Sequence, residues 1–152
     1  MTRNIGKLFL MLCLLAVGGG VVANAQIDSA TRIEVNVPFD FAVGNTTLPA
    51  GKYEIKGVDD LAPNVLELRS ANGRTTVVFE AASAQTRGDQ IESKSELIFN
   101  KFGDRYFLSQ VWVAGSSSGN ELPKSRMEKR LMDGGSQPEK HSVASFVKHL
   151  KP

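Results

Sequence analysis

Gly115-Ser116-Ser117-Ser118-Gly119 has the G-x-S-x-G spacing that in one large class of hydrolases raises a serine nucleophile on a strained strand-to-helix turn. Here Ser117 would be that nucleophile, with Asp133 and then His141 or His149 following in a permitted chain order. The elbow needs a large parallel sheet, and a chain of this size with β-hairpin signals does not supply one. The stretch therefore reads as a flexible loop, and a small serine hydrolase stands only as an alternative. Ser145-Phe146-Val147-Lys148 fits S-x-x-K, which puts a lysine one helical turn from a serine. The companion S-D-N and K-T-G elements are absent, and Phe146 and Val147 are needed elsewhere as apolar residues. His141 and His149 form no metal pair on their own, and neither H-E-x-x-H nor an acidic calcium-loop spacing occurs, so no metal and no cofactor are assigned. Asp59-Asp60 reads as turn chemistry, and Asn45-Thr46-Thr47 is a glycosylation acceptor sequon in a turn.

Two sets of residues could bind rather than react. Lys124, Arg126, Lys129 and Arg130 gather positive charge on a short segment, a candidate interaction surface for an acidic partner. Phe99, Tyr106 and Trp112 could line an apolar cavity in a closed barrel, which would make the protein a carrier of a small apolar ligand. The charge distribution favours the first set. Residues 26–121 hold 9 basic and 13 acidic groups, a net −4, whereas residues 122–152 hold 7 and 3, a net +4. Those opposite charges could also satisfy one another within the chain, which is the preferred reading of the asymmetry.

The elements that must position these residues are mostly strands. Arg32-Ile33-Glu34-Val35-Asn36-Val37 alternates apolar and polar, which buries one face, and Pro38 then removes a backbone donor. Phe39, Phe41 and Val43 resume the alternation up to Gly44-Asn45. After the Leu48-Pro49-Ala50-Gly51 turn, Lys52–Lys56 is a strand with Tyr53 and Ile55 inward. Val65–Arg69 and Thr75–Phe79 flank Asn72-Gly73, a hairpin pair, because both residues accept positive φ. Residues 82–94 are polar and aperiodic and read as a loop. The strongest hairpin joins Glu96–Lys101 to Arg105–Val113 across Phe102-Gly103-Asp104. On its second strand Phe107, Val111 and Val113 share one face, and Tyr106, Leu108 and Trp112 the other, so both faces need cover. Ser125-Arg126-Met127-Glu128 has capping-box spacing and opens a helix to Asp133, with Gly134 as its stop. A second box, Ser136 to Glu139, precedes Val143, Phe146, Val147 and Leu150, spaced as one stripe of an amphipathic helix.

The first 25 residues read as a secretory signal. Arg3 and Lys7 precede an apolar run, and Ala23-Asn24-Ala25 offers small residues at the cleavage site. The apolar stretch Leu8 to Ala23 contains three consecutive glycines and falls short of the roughly 18 residues a spanning helix needs, so no transmembrane segment is expected after cleavage. The single cysteine, Cys13, leaves with the signal, which removes disulfides, thiolate metal sites and a cysteine nucleophile from the exported chain. Loss of Arg3 and Lys7 leaves 16 charges of each sign. Export and neutrality argue against nucleic acid as a partner.

Val37-Pro38-Phe39-Asp40-Phe41-Ala42-Val43-Gly44, Leu48-Pro49-Ala50-Gly51-Lys52-Tyr53, Tyr106-Phe107-Leu108, Val111-Trp112 and Gly119-Asn120-Glu121-Leu122-Pro123-Lys124-Ser125 resemble a family of small, exported, uncharacterised bacterial proteins. The resemblance spans most of residues 35–131 and implies export and one β-rich domain. It brings no reaction, cofactor or catalytic residue. The expectation is a mainly β chain: a signal at 1–25, an antiparallel β-sandwich or small barrel at 26–121, and a basic segment with short helices at 122–152. Its expected role is that of a non-enzymatic binding or structural module, periplasmic or extracellular, that meets an envelope protein or acidic surface through residues 122–152.

Overall fold

A computed structural model describes residues 27, 31–59, 61–83 and 94–149. The secretory signal, the centre of the 82–94 loop, Asp60 and Leu150 lie outside the described residues. The fold is mainly β: a nearly closed mixed barrel with one short helix near the C-terminus. Its strands are β1 (Thr31–Val37), β2 (Phe41–Val43), β3 (Thr46–Leu48), β4 (Gly51–Asp59), β5 (Ala62–Ser70), β6 (Thr76–Glu80), β7 (Ala82–Ser83), β8 (Ser95–Phe102), β9 (Arg105–Trp112), β10 (Asn120–Glu121) and β11 (Glu139–His149). The helix α1 (Arg126–Asp133) lies between β10 and β11.

Nine strands run in the order β3-β2-β9-β8-β11-β1-β4-β5-β6. The two short strands bring the ends of this path together. β7 follows β6 after Ala81 and pairs with β10, and β10 pairs with β9 at Gln110 and Val111. The β2–β3 hairpin meets β9 at Tyr106 and Phe107. Since β8 holds the opposite edge of β9, that remaining edge is shared between β2 and β10. The β2–β9 pair is parallel, so the expected antiparallel sheet is mixed. Thr46 and Thr47, read as turn residues, belong to β3; only Gly44-Asn45 turns, with Gly44 at φ 58°.

Alternation explains the interior. Ile33, Val35 and Val37 of β1, Tyr53 and Ile55 of β4, and Leu66 and Leu68 of β5 point into one shared core. Phe41 sits edge-on to both Tyr53 and Phe99, which extends that core across the barrel. The Tyr53 hydroxyl donates to the Pro49 carbonyl at 2.6 Å. Burial, and secondarily the charge of Asp40, raises its pKa above the ordinary 10.0. The unfolded chain therefore loses this proton first, and stability present below pH 10 is lost as pH rises through the folded value. Urea unfolding at about pH 9 and about pH 11 should show a larger loss in the native chain than in Tyr53→Phe, which itself should cost about 1 kcal/mol at neutral pH. Equal losses in the two would refute the linkage.

Two features of the fold depart from the local sequence pattern. First, β9 carries a bulge: Phe99 pairs with Leu108 and Ile98 with Gln110, so Ser109 is the extra residue. The parity of the strand changes there. Tyr106, Leu108, Val111 and Val113 face the interior, while Phe107 and Trp112 face outward; the two expected face sets are each split. Second, the helix expected around 143–150 is strand β11, lying between β8 and β1. Val143, Ser145 and Val147 turn inward. Phe146, which completed the helical stripe, points out and is 75% exposed.

The outer face of the β8–β9 hairpin is also covered. Trp112 is 1% exposed and packs with Ile98 beneath the loop that follows β9. That loop passes close enough that a Cβ on Gly119 would lie 2.7 Å from the indole ring. Gly119→Ala should therefore cost about 1–3 kcal/mol, since a buried indole cannot retreat, as measured by the urea midpoint. A neutral result would mean the loop lifts freely from the ring.

Candidate functional site

The helix α1 has only eight residues, too few to be stable alone, and it is secured at both ends. Ser125 caps it: its Oγ accepts from the Glu128 amide at 3.1 Å, and Glu128 Oε2 accepts from the Ser125 amide at 2.7 Å. At the other end the Ser136 amide donates to Leu131 and the Gly135 amide to Met132, with Gly135 at φ 87°. Gly134 is the cap as expected, and the left-handed residue is the glycine after it.

Glu128 ties the helix to the barrel. The residue is 3% exposed, and its Oε1 accepts from Asn100 Nδ2 of β8 at 2.9 Å. Asn100 Oδ1 in turn accepts from Lys140 Nζ of β11 at 2.7 Å, and that ammonium also reaches Ser109 Oγ of the bulge at 3.3 Å. Burial lowers the Lys140 pKa below the ordinary 10.5, against the opposing pull of Glu121 and Glu128. One network thus joins β8, β9, β11 and α1 on the outer surface. The bulged Ser109 and the inward Glu128 could not be foreseen as partners, because their meeting depends on where β11 runs.

With Glu128 turned inward, the helix presents its cations to solvent. Lys124, Arg126, Lys129 and Arg130 are all exposed. None of their side chains forms an ion pair or hydrogen bond with another described residue. Of the expected pairing between the basic segment and the acidic body, the described residues show Lys148 with Glu34; the pairs Arg32–Glu54 and Lys56–Glu67 lie within the body itself. The four cations do not share one pocket. Arg126 and Arg130 border a cleft of about 530 Å³ between α1 and the outer face of β2 and β9, whereas Lys124 borders a separate cleft with Glu80 and Glu121. Arg105, the first residue of β9, joins Arg126 and Arg130 in the larger cleft. Strand alternation places it on the same outer face as Phe107.

The expected apolar trio is not assembled. Phe99 and Tyr106 face the interior, where Phe39 stacks on Tyr106 at 3.8 Å and meets Phe99 edge-on. Trp112 lies on the opposite side of the sheet and donates from Nε1 to Gln110. The bulge separates them, so these three residues line no common cavity. Ser117 stands in a loop that leads into β10, not a helix, so the strand-to-helix elbow is not formed there. Ser145 faces inward and Lys148 outward on β11, which removes the helical adjacency that S-x-x-K requires. His141 sits edge-on to Phe39 and Tyr106. Among the described residues no three His, Cys, Asp or Glu side chains gather closely enough to hold a metal ion.

Comparison with family models, with curated proteins and with solved structures found no match to this chain.

Proposed function

We propose that the protein is an exported, non-enzymatic contact module of the bacterial envelope, periplasmic or extracellular, that engages an acidic partner through the basic face of α1. The observation that carries this reading is the set of four exposed cations, Lys124 just before the cap and Arg126, Lys129 and Arg130 on α1, unpaired among the described residues around a helix that a buried carboxylate holds in place. Arg32, Lys56 and Lys148 are paired with Glu54, Glu67 and Glu34, whereas these four side chains carry charge that no other described residue pairs, gathered on and beside one anchored helix. Such charge steers association and makes it sensitive to salt.

Binding of labelled poly-glutamate at low ionic strength tests the reading. Replacing all four residues by alanine should weaken binding at least about tenfold and flatten its salt dependence, with the urea midpoint little changed. Unchanged affinity in that variant would overturn it.

A further inference from the structure

We propose that the cleft between α1 and the β2–β9 face binds a short acidic peptide segment carrying one apolar side chain, with Arg105, Arg126 and Arg130 holding its carboxylates. This rests on the reading of α1 as a contact surface and adds what the helix alone does not supply: a second wall, a floor and a ligand class.

The walls come from distant parts of the chain. Arg126 and Arg130 are one helical turn apart, so their side chains share a face of α1. Arg105 opens β9 immediately after the Gly103-Asp104 turn and shares its parity with Phe107, which brings its guanidinium to the opposite wall. The β2–β3 turn closes the helix end of the cleft, where the Arg126 amide donates to Asn45 Oδ1 at 3.4 Å. Phe107, buried against Phe102, and Met127, 41% exposed, supply apolar surface within the same cleft. A volume of about 530 Å³ falls within the roughly 300–1,000 Å³ of ordinary ligand clefts and accommodates a few residues of peptide.

Charge selects the ligand. Two carboxylates, Asp40 and Asp104, also border the cleft, so three guanidiniums leave one positive charge in excess. Asp40 is engaged by the Ala50 amide at 2.8 Å, and neither acid lies within ion-pair distance of the three arginines. A guanidinium presents a planar fork that matches a carboxylate, and three forks unpaired among the described residues, around an apolar floor, favour a ligand with more than one carboxylate and one side chain to bury. Met127 suits that floor because an unbranched thioether adapts to the shape laid on it.

The test uses the purified protein and a fluorescein-labelled hexapeptide with carboxylate side chains on both sides of one phenylalanine. Arg105→Gln should weaken binding at least about tenfold, as should replacing the peptide's phenylalanine by alanine or its carboxylates by amides. Lys129→Gln, outside the cleft, should change affinity less than about threefold. Arg105→Lys should fall between the native chain and Arg105→Gln, because the charge remains but the fork is lost. If the peptide binds and Lys124→Gln and Lys129→Gln weaken it while Arg105→Gln does not, the cleft is overturned and the broader reading of α1 stands. If the native protein binds neither the peptide nor poly-glutamate, both are overturned.

Discussion

A chain ending at Pro138 is expected to lose its cooperative unfolding transition altogether. The residues removed include β11, which pairs with β8 from Glu139 to Ser145 and with β1 through the register Thr31↔His149 to Val35↔Ser145. Its loss would leave two unpaired edges in the middle of the barrel and uncover the core where Val143 and Val147 pack. A domain of this size has about 5–15 kcal/mol of net stability, and one central strand with both its ladders accounts for a comparable amount. Far-UV circular dichroism and urea titration of the shortened chain should show no folded baseline. A transition with a near-native midpoint would show that β1 and β8 can do without the strand between them. An amphipathic helix laid against the outside of a complete sheet, as the spacing suggested for this segment, could be removed without opening any ladder. The experiment therefore separates the two architectures by the whole stability of the domain.

The error over β11 has a physical source. Val143, Phe146 and Val147 satisfy the spacing of a helix, but Val143, Ser145 and Val147 satisfy the alternation of a strand just as well, and the apolar residues alone do not choose. The choice is made by β1 and β8, each with an unfilled edge, and edge availability is a tertiary property. Strands set by local turn chemistry were legible: the Asn72-Gly73 and Gly103-Asp104 hairpins form where expected, with positive φ at both glycines. So was α1, whose two ends carry their own signals in Ser125, Glu128 and Gly134. The bulge at Ser109 left no trace in residue type. It nonetheless decided the fate of the apolar trio, because a single extra residue sends Trp112 to the other side of the sheet.

The candidate site was legible only in part for a related reason. A charge count by segment finds Arg126 and Arg130, since they stand in a run of cations, but it assigns Arg105 to the acidic body of the chain. What unites the three is the path of β9 beneath α1, together with the outward parity that Arg105 shares with Phe107. A cleft assembled from a turn, a strand end and a helix is not contiguous in sequence. The one local hint was the hairpin itself, which fixes the face on which its first residue must emerge.

Glu128→Ala is expected to destabilise the protein by about 2–4 kcal/mol, a large effect for a residue on a one-domain surface helix. Two costs combine. The capping box loses the acceptor of the Ser125 amide, worth about 1 kcal/mol, and the buried Asn100 amide loses its partner, at roughly 1–3 kcal/mol. Glu128→Gln should cost markedly less, because its carbonyl oxygen can still accept one of these bonds and glutamine is itself a capping-box residue. In Asn100→Ala the helix keeps its cap but loses its tether. The double variant Asn100→Ala/Glu128→Ala should therefore lie closer to Glu128→Ala alone than to the sum of the two, by a coupling readable from urea midpoints. Strict additivity would show that the Asn100 amide does not hold the helix through Glu128. The same series reaches the proposed contact surface. If α1 binds as a rigid element, poly-glutamate affinity should fall in Glu128→Ala and persist in Glu128→Gln, although neither change touches Lys124, Arg126, Lys129 or Arg130. A basic segment that bound merely as loose charge would gain from losing a carboxylate, so the sign of the change in Glu128→Ala distinguishes an ordered binding face from an excess of cations.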